Sequence, residues 1–207
     1  MAVLVQSVSG SRLLAYADVF GALPWGEGPE RADASLRRLG NDVDRPGFTA
    51  ALERDGDVVV GWATAWTTPS PFPTGRCYPP ISAALGKRRT ADRPCGAREV
   101  DELAVATPAR GAGLGARLLD AVTADRADGR CWLLTSVAAI TAVAFYEREG
   151  WTQATHPAPG GAGHAAFLGP RHLARTAAPR PLLPLLRSSE TFEFRCRASD
   201  PRGRRHR

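Results

Sequence analysis

Two stretches of this chain combine residue types and spacings that could do chemistry. RGAGLG at 110–115 places glycine at Gly111, Gly113 and Gly115. Glycine is costly inside regular structure, so such a cluster has a local purpose. EVDELAVA before it reads as a strand and LGARLLDAVTADR after it as a helix. That order puts a row of free backbone N–H groups at a helix N-terminus, where the peptide dipoles also favour an anion. The second stretch is the strand itself, with three carboxylates at Glu99, Asp101 and Glu102. Carboxylates there can accept a proton or hold a cation.

Three classes of phosphate loop compete for RGAGLG. A Walker A loop requires Lys and then Ser or Thr after its last glycine; Ala116 and Arg117 stand there instead. A dinucleotide fingerprint requires GxGxxG; the spacing here is GxGxG, and no acidic residue ends the next strand. The third pattern is Arg or Gln, two residues, Gly, one residue, then Gly or Ala, which takes the pyrophosphate of coenzyme A. Arg110, Gly113 and Gly115 fit it in full. A zinc site is not indicated. Cys77, Cys95, Cys131 and Cys196 form no CxxC pair, and His156, His164, His172 and His206 offer no ligand spacing.

The elements around these stretches predict a single α/β domain. VLVQSV is a short strand candidate, SRLLAYADVFGAL a helix with Leu13, Leu14, Ala17 and Phe20 at helical spacing, and PERADASLRRLG a second helix capped at Gly40. FTAALERDGDVVVGWATAW is a β-hairpin turning at Asp55-Gly56. Residues 67–96 read as a long proline-rich irregular segment with a short helical stretch at ISAALG. Then come the acidic strand, the glycine loop, a helix with Leu114, Leu118, Leu119 and Val122 on one side, the buried strand CWLLTSV, a helix ITAVAFYEREG ending at Gly150, and a strand pair between Trp151 and Leu168.

The length of 207 residues suits one domain with a small appendage. The net charge of +6 is unevenly placed. Residues 1–169 hold 17 basic and 18 acidic side chains, whereas residues 170–207 hold 10 and 3. The domain is expected over 1–171 and a basic Arg/Pro-rich tail over 172–207, read as a solvated, disordered end, with polyanion binding or one extra strand at TFEFRCR as alternatives. Lys87 is the single lysine among 27 basic residues. With abundant Ala, Gly and Pro, this reflects the codon bias of a GC-rich, bacterial-type genome rather than a phosphate-binding design. The N-terminus lacks a signal-peptide pattern, and the longest apolar window, 131–146, is short of the roughly 20 residues of a membrane span. A soluble cytoplasmic protein with free thiols is expected.

ELAVATPARGAGLGARLLDAV resembles the cofactor motif of the GNAT superfamily of acyl-CoA-dependent N-acyltransferases. AVAFYEREGW, about thirty residues on, resembles the second motif of that family. The resemblance spans roughly residues 3–168 and implies a mixed sheet that splays open between the strands at 99–105 and 131–136, flanked by helices, with acetyl-CoA in the V. It implies that backbone groups of Leu103 and Val105 hold the pantetheine arm and thioester. Backbone N–H groups of Arg110, Gly111, Ala112, Gly113, Leu114, Gly115 and Ala116 would hold the pyrophosphate. The chain departs from the family at Ala139, where an Asn that touches the cofactor often stands. Homodimers are common in the family.

Acetyl transfer to an amine needs a deprotonated amine, donors for the oxyanion, for which the Val105 N–H would serve, and a proton for the departing thiolate. Within the motif Tyr146 is the expected acid, protonated at neutral pH with a reference pKa of about 10; core packing of its ring is the competing role. For the base, Asp101 and Glu102 are adjacent on a strand and so are expected on opposite faces, with Glu99 beside Asp101. Each is as readily a salt bridge, and the proton can also leave through water. Cys131 reads as a small core residue. Residues 67–96 are expected to wall the acceptor site, with Phe72, Tyr78, Trp62 and Trp66 as apolar or cation–π surface, packing of one strand face being the stronger role for the two tryptophans. The expected activity is acetyl transfer from acetyl-CoA to a primary amine of a small molecule by direct attack. A protein amine is the second choice, and an acyl-CoA-binding regulatory module without catalysis is the rival.

Overall fold

The computed structural model describes residues 18–21, 26, 28–75, 77–156 and 163–175. VLVQSV, TFEFRCR and most of the first helix lie outside the described residues, although residues 18–20 are helical.

The described elements are α1 (Pro29–Asp42), β1 (Thr49–Asp55), β2 (Val58–Thr67), α2 (Tyr78–Asp92), β3 (Arg98–Val105), α3 (Leu114–Thr123), β4 (Cys131–Ser136), α4 (Ile140–Arg148), β5 (Thr152–Gln153) and β6 (His164–Leu168). The six strands form one mixed sheet in the order β1-β2-β3-β4-β6-β5. The β3–β4 pair is parallel and the other four pairs are antiparallel. The hairpin forms where Asp55-Gly56 predicts it, with Gly56 at φ 57°.

Strand alternation sends Ala63, Ala65, Val100, Leu133 and Phe167 to one face. Leu114, Leu118, Leu119 and Val122 of α3 cover them, as their spacing predicts, together with Tyr146 of α4. The other face presents Trp132, Ala166 and Leu168, covered by Tyr78, Ile81 and Leu85 of α2. Farther along that face, Trp62 and Ala104 pack with Val59, Phe20 and Leu52.

Two elements differ from expectation. Gly40 does not end α1, which runs to Asp42. Asp42 ties that last turn by pairing with Arg38 and with Arg45 beyond it. Half of the segment expected to be irregular is helix: α2 spans 15 residues, and among the described residues 68–75, 77 and 93–96 stay outside helix and strand. Pro79 and Pro80 fall in its first turn, where the missing N–H has no intrahelical partner to lose. The helix breaks at Gly86, whose φ of 74° and ψ of 161° suit glycine.

A candidate acyl-transfer cleft between β3 and β4

The parallel ladder between β3 and β4 has three rungs: Arg98 with Cys131, Glu99 with Trp132, and Val100 with Leu133. β3 then continues to Val105 beside β2 and β4 to Ser136 beside β6 without pairing with each other, so the sheet splays there. The Ala106 N–H donates to Val60 O at 2.9 Å. By antiparallel alternation, Glu102 and Ala104 also turn their backbone groups to β2, while Leu103 and Val105 turn theirs to the side β4 has left. Arg110 Nε donates to the Val105 carbonyl at 3.0 Å and folds the glycine loop back over the strand end.

In that loop Gly111 and Gly113 have φ of 85° and 73°, left-handed values that favour glycine. Gly113 is the N-cap of α3 and supplies no side-chain cap. Among the described residues, no backbone carbonyl outside the helix takes the N–H groups of Gly111, Ala112 or Gly113. Leu114, Gly115 and Ala116 occupy the first turn, whose N–H groups lack helical partners. No acidic side chain stands between Leu103 and Leu119, and Arg110 and Arg117 add positive charge. This donor set suits a pyrophosphate. The third glycine has a different reason. A Cβ on Gly115 would lie 3.3 Å from Phe145 Cζ and 3.8 Å from Val105 Cγ2, so Gly115 lets α4 and the end of β3 close on α3.

Phe145 leads directly to Tyr146. The Tyr146 ring is buried, with ring centroids 5.2 Å from Phe145, 6.1 Å from Trp151 and 6.2 Å from Phe167. Burial pushes its phenol above the ordinary value, which keeps it protonated. Tyr146 therefore packs in the core with its phenol protonated. No hydrogen bond joins its hydroxyl to a described residue. Ala139 is buried at the N-cap of α4, and its N–H donates to Ser136 O at 3.0 Å.

The carboxylates are arranged differently from expectation. Val100 pairs with Ala65 and Glu102 with Thr64, which leaves Asp101 as an extra, bulged residue. The bulge resets the alternation. Glu99 and Glu102 share a face, and Asp101 joins Glu102 on the same side instead of opposing it: Arg38 Nη2 pairs with Glu102 Oε1 and stands 3.7 Å from Asp101 Oδ2. Glu102 is buried and also accepts from Ser35 Oγ at 3.0 Å and Trp62 Nε1 at 3.1 Å. Its bonds anchor α1 to the sheet. Glu99 accepts from the Tyr78 hydroxyl at 2.8 Å and from Thr68 Oγ1 at 3.3 Å. The sequence reading overlooked Ser35 and Arg38, although Ser35, Arg38 and Asp42 share one helical face by spacing. It also overlooked His164, opposite Ser136 at the end of the β4–β6 ladder, which burial holds below its ordinary pKa.

The aromatic residues expected to wall the acceptor site mostly pack. Trp62 and Trp66 are each 1% exposed, and Arg45 stacks 4.5 Å over the Trp66 ring. Phe72 lies 5.2 Å from Tyr78 and 5.8 Å from Trp132, so the Phe72 and Tyr78 rings join the layer that α2 lays on the sheet. Cys131 is buried, and its thiol is pushed up to about 11 by burial against the pull of Arg98, Arg171 and Arg126. A cavity of about 110 Å³ beside Cys131, Trp151 and Arg171 reaches Ala116 of α3 but is not lined by Leu103, Val105, Gly111 or Gly113. Among the described residues, no helix is long and apolar enough to cross a membrane, and no three His, Cys, Asp or Glu side chains converge as a metal would need.

Comparison with known proteins places this cleft within a recognised family. The family model described as "Acetyltransferase (GNAT) domain" matches residues 48–153. No curated protein matches the chain. Among solved structures, a GNAT-family protein from Desulfovibrio desulfuricans is 19% identical over 81% of this chain and 91% of its own, with a TM-score of 0.53. A GNAT-family protein from Bordetella pertussis is 18% identical over 77% and 87%, also at 0.53. A protein from Corynebacterium glutamicum named as histone acetyltransferase HPA2 and related acetyltransferase is 19% identical over 83% and 95%, again at 0.53. At such identities the structures show a shared fold, and the family match runs from the hairpin through both motifs. The chain belongs to the GNAT acetyltransferase family.

Proposed function

We propose that the chain transfers an acetyl group from acetyl-CoA to the primary amine of a small molecule by direct attack. The observation that carries this reading is the open edge of β3, where the backbone of Leu103 and Val105 faces the side that β4 has left, next to the glycine-led start of α3.

Acetyl-CoA supplies the activated acyl group. The N–H groups of the loop from Arg110 to Ala116, of which that of Arg110 also donates to Thr107 O, would hold its pyrophosphate, and the Leu103 backbone and the Val105 N–H would orient the pantetheine arm. The Val105 N–H would donate to the acyl oxygen as it gains charge. Tyr146, kept protonated by burial, would give a proton to the departing sulfur. Asp101 and Glu102 would be the candidate bases, both beside the Arg38 guanidinium. A cytoplasmic setting belongs to the same reading.

Thiol release measured over a panel of small amines, amino sugars and peptides tests it. Turnover with one or more small amines is expected. Acetyl-CoA binding without turnover of any amine would favour a non-catalytic acyl-CoA module instead, and turnover confined to peptides would move the acceptor class to protein amines.

A further inference from the structure

We propose that His172 is a pH-operated latch: as a neutral imidazole it clasps the segment after β6, residues 169–175, to the end of α2, and on protonation it lets that segment go. Nothing in the latch depends on the acetyl-transfer reading above.

The segment leaves β6 with the Gly169 N–H donating to Cys131 O at 2.8 Å. Arg171 Nη2 then donates to the Thr123 carbonyl at 2.9 Å and the Ala124 carbonyl at 3.3 Å, at the end of α3. The Arg171 backbone presses on Gly129, where an added Cβ would stand 2.5 Å from Arg171 O. His172 follows, only 3% exposed although Arg171 and Leu173 on either side are exposed. Both of its ring nitrogens are engaged. The Ala174 N–H donates to Nδ1 at 3.1 Å. An amide N–H can only donate, so Nδ1 carries no proton and the single ring proton sits on Nε2. Nε2 donates it to the Arg93 carbonyl, just past α2, at 3.2 Å. The ring is thus fixed as one neutral tautomer that ties the segment both to itself and to α2. The Arg175 N–H donates to His172 O at 3.1 Å and its Nη1 to Pro170 O at 2.8 Å, which closes the segment into a turn.

Protonation would put a second N–H on Nδ1, donor against donor at Ala174, and would leave the new charge out of reach of water. The charged groups around the ring do not compensate. From the end of α2, Arg93 repels an imidazolium, with Arg89 beside Arg93 and the Asp92 carboxylate turned to Arg88 at 3.7 Å. From the turn before β4 come Arg130, which also repels, and Asp128, which attracts but is held by Arg126 at 2.8 Å. Arg130 Nη2 donates to Cys95 O at 2.7 Å and to Asp92 O at 3.1 Å, which keeps its guanidinium at the α2 end. Beyond α3, Asp125 pairs with Arg98 at 3.1 Å. Within the segment, Arg171 and Arg175 are turned to backbone carbonyls. Burial, together with Arg130 and Arg93, holds His172 below its ordinary pKa; the Arg93 carbonyl, which accepts from Nε2 in both protonation states, and Asp128 pull the other way. A released imidazole regains the ordinary value of about 6.5. Below that pH the released state takes up a proton that the clasped state refuses, so the clasp is complete above about pH 6.5 and weakens as pH falls. Gly169, Pro170 and Arg171 also wall the cavity beside Cys131, so release opens that cavity at acid pH.

The test is amide hydrogen exchange and imidazole-nitrogen NMR on the full chain, for the wild type and His172→Gln, at about pH 7.5 and about pH 5, with exchange rates corrected for their intrinsic pH dependence. In the wild type the protection of Ala174 and Arg175 should fall by between about 3-fold and about 30-fold over that range, about 30-fold being what an ordinary imidazole allows. The amides of the β1–β2 hairpin should hold theirs. Glutamine can accept from the Ala174 N–H and donate to the Arg93 carbonyl without titrating, so in His172→Gln the ratio between the two pH values should drop to about 1, whatever the level of protection. The variant also separates His172 from His164, which burial likewise holds below its ordinary pKa. No fall in the wild type, or the same fall in folded His172→Gln, overturns the proposal. If His172→Gln does not fold, the wild-type imidazole decides: Nδ1 should carry no proton at about pH 7.5, and the ring should titrate below about 6.5 in step with the loss of protection. A protonated Nδ1, a midpoint at or above about 6.5, or a midpoint that does not track the protection overturns it.

Discussion

Gly115 faces the ring of Phe145 so closely that an added Cβ would stand 3.3 Å from Cζ and 3.4 Å from Cε2. The three glycines of RGAGLG therefore answer to two different demands. Gly111 and Gly113 have open space around an added Cβ and are fixed by their positive φ. Gly115 is fixed by helix packing. The close approach that the glycine cluster suggests is, at this position, the approach of an aromatic ring.

The two demands respond differently to substitution. Gly113→Ala should cost about 1–2 kcal/mol for the left-handed backbone and weaken acetyl-CoA binding as the loop relaxes. Gly115→Val should cost about 1–3 kcal/mol by overpacking against Phe145. Urea denaturation checks both. Adding Phe145→Ala should restore part of the loss in Gly115→Val and none in Gly113→Ala.

Tyr146→Phe should lower kcat by about 100-fold or more, as the loss of a general acid does. Acetyl-CoA affinity should stay unchanged, and stability should change by less than about 1 kcal/mol, since the hydroxyl has no described protein partner. A comparable loss of affinity and rate would make Tyr146 a packing residue alone.

Burial of Tyr146 also makes a prediction about alkaline stability. Its folded pKa is raised, so above about pH 10 the unfolded chain releases the phenol proton while the folded chain retains it. The unfolded state then binds fewer protons, and stability falls as pH rises. The tyrosine contribution should be fully present below pH 10 and lost progressively above it, and Tyr146→Phe should flatten this limb in denaturant titrations.

Much of this architecture was legible in the sequence, because the signals were local. Asp55-Gly56 marks its hairpin, and Leu114, Leu118, Leu119 and Val122 mark the buried face of α3. The splay was legible only through the family motifs, since nothing within EVDELAVA says where its parallel neighbour departs. α2 was hidden by Pro79, Pro80 and Gly86, residues that break helices in their interior and are harmless in a first turn or at a kink. The bulge at Asp101 left no local mark either. One extra residue in a strand changes no propensity, yet it reverses which carboxylates share a face. The network around Glu102 joins residues 35, 38, 62 and 102, separations at which spacing within one element carries no information.

Cys131 should resist thiol reagents at pH 8, where a thiol pushed up to about 11 holds its proton. Mass-spectrometric mapping after brief labelling should find Cys131 unmodified in the folded protein and modified in urea. Labelling at native-state rates matching Cys77, which is only half-buried, would contradict the buried placement.

Arg98 links β3 to α3, donating from Nη1 to Thr49 Oγ1 at 2.8 Å and to the Val122 carbonyl at 3.1 Å, with its side chain 7% exposed. Arg98→Leu leaves that carbonyl without its donor and should destabilise by about 1–3 kcal/mol. Asp125→Asn should cost less than about 1 kcal/mol, because Asp125 is mostly exposed. Thermal or urea unfolding of the two variants checks the order.

Calorimetric titration of the purified chain with acetyl-CoA, with free CoA and NAD as comparison ligands, tests the central claim most directly. Micromolar binding of acetyl-CoA, weakened in Gly113→Ala and absent with NAD, is the predicted result. A folded protein that binds neither acetyl-CoA nor a longer acyl-CoA would contradict the account and leave RGAGLG as the junction at which α3, α4 and β3 pack.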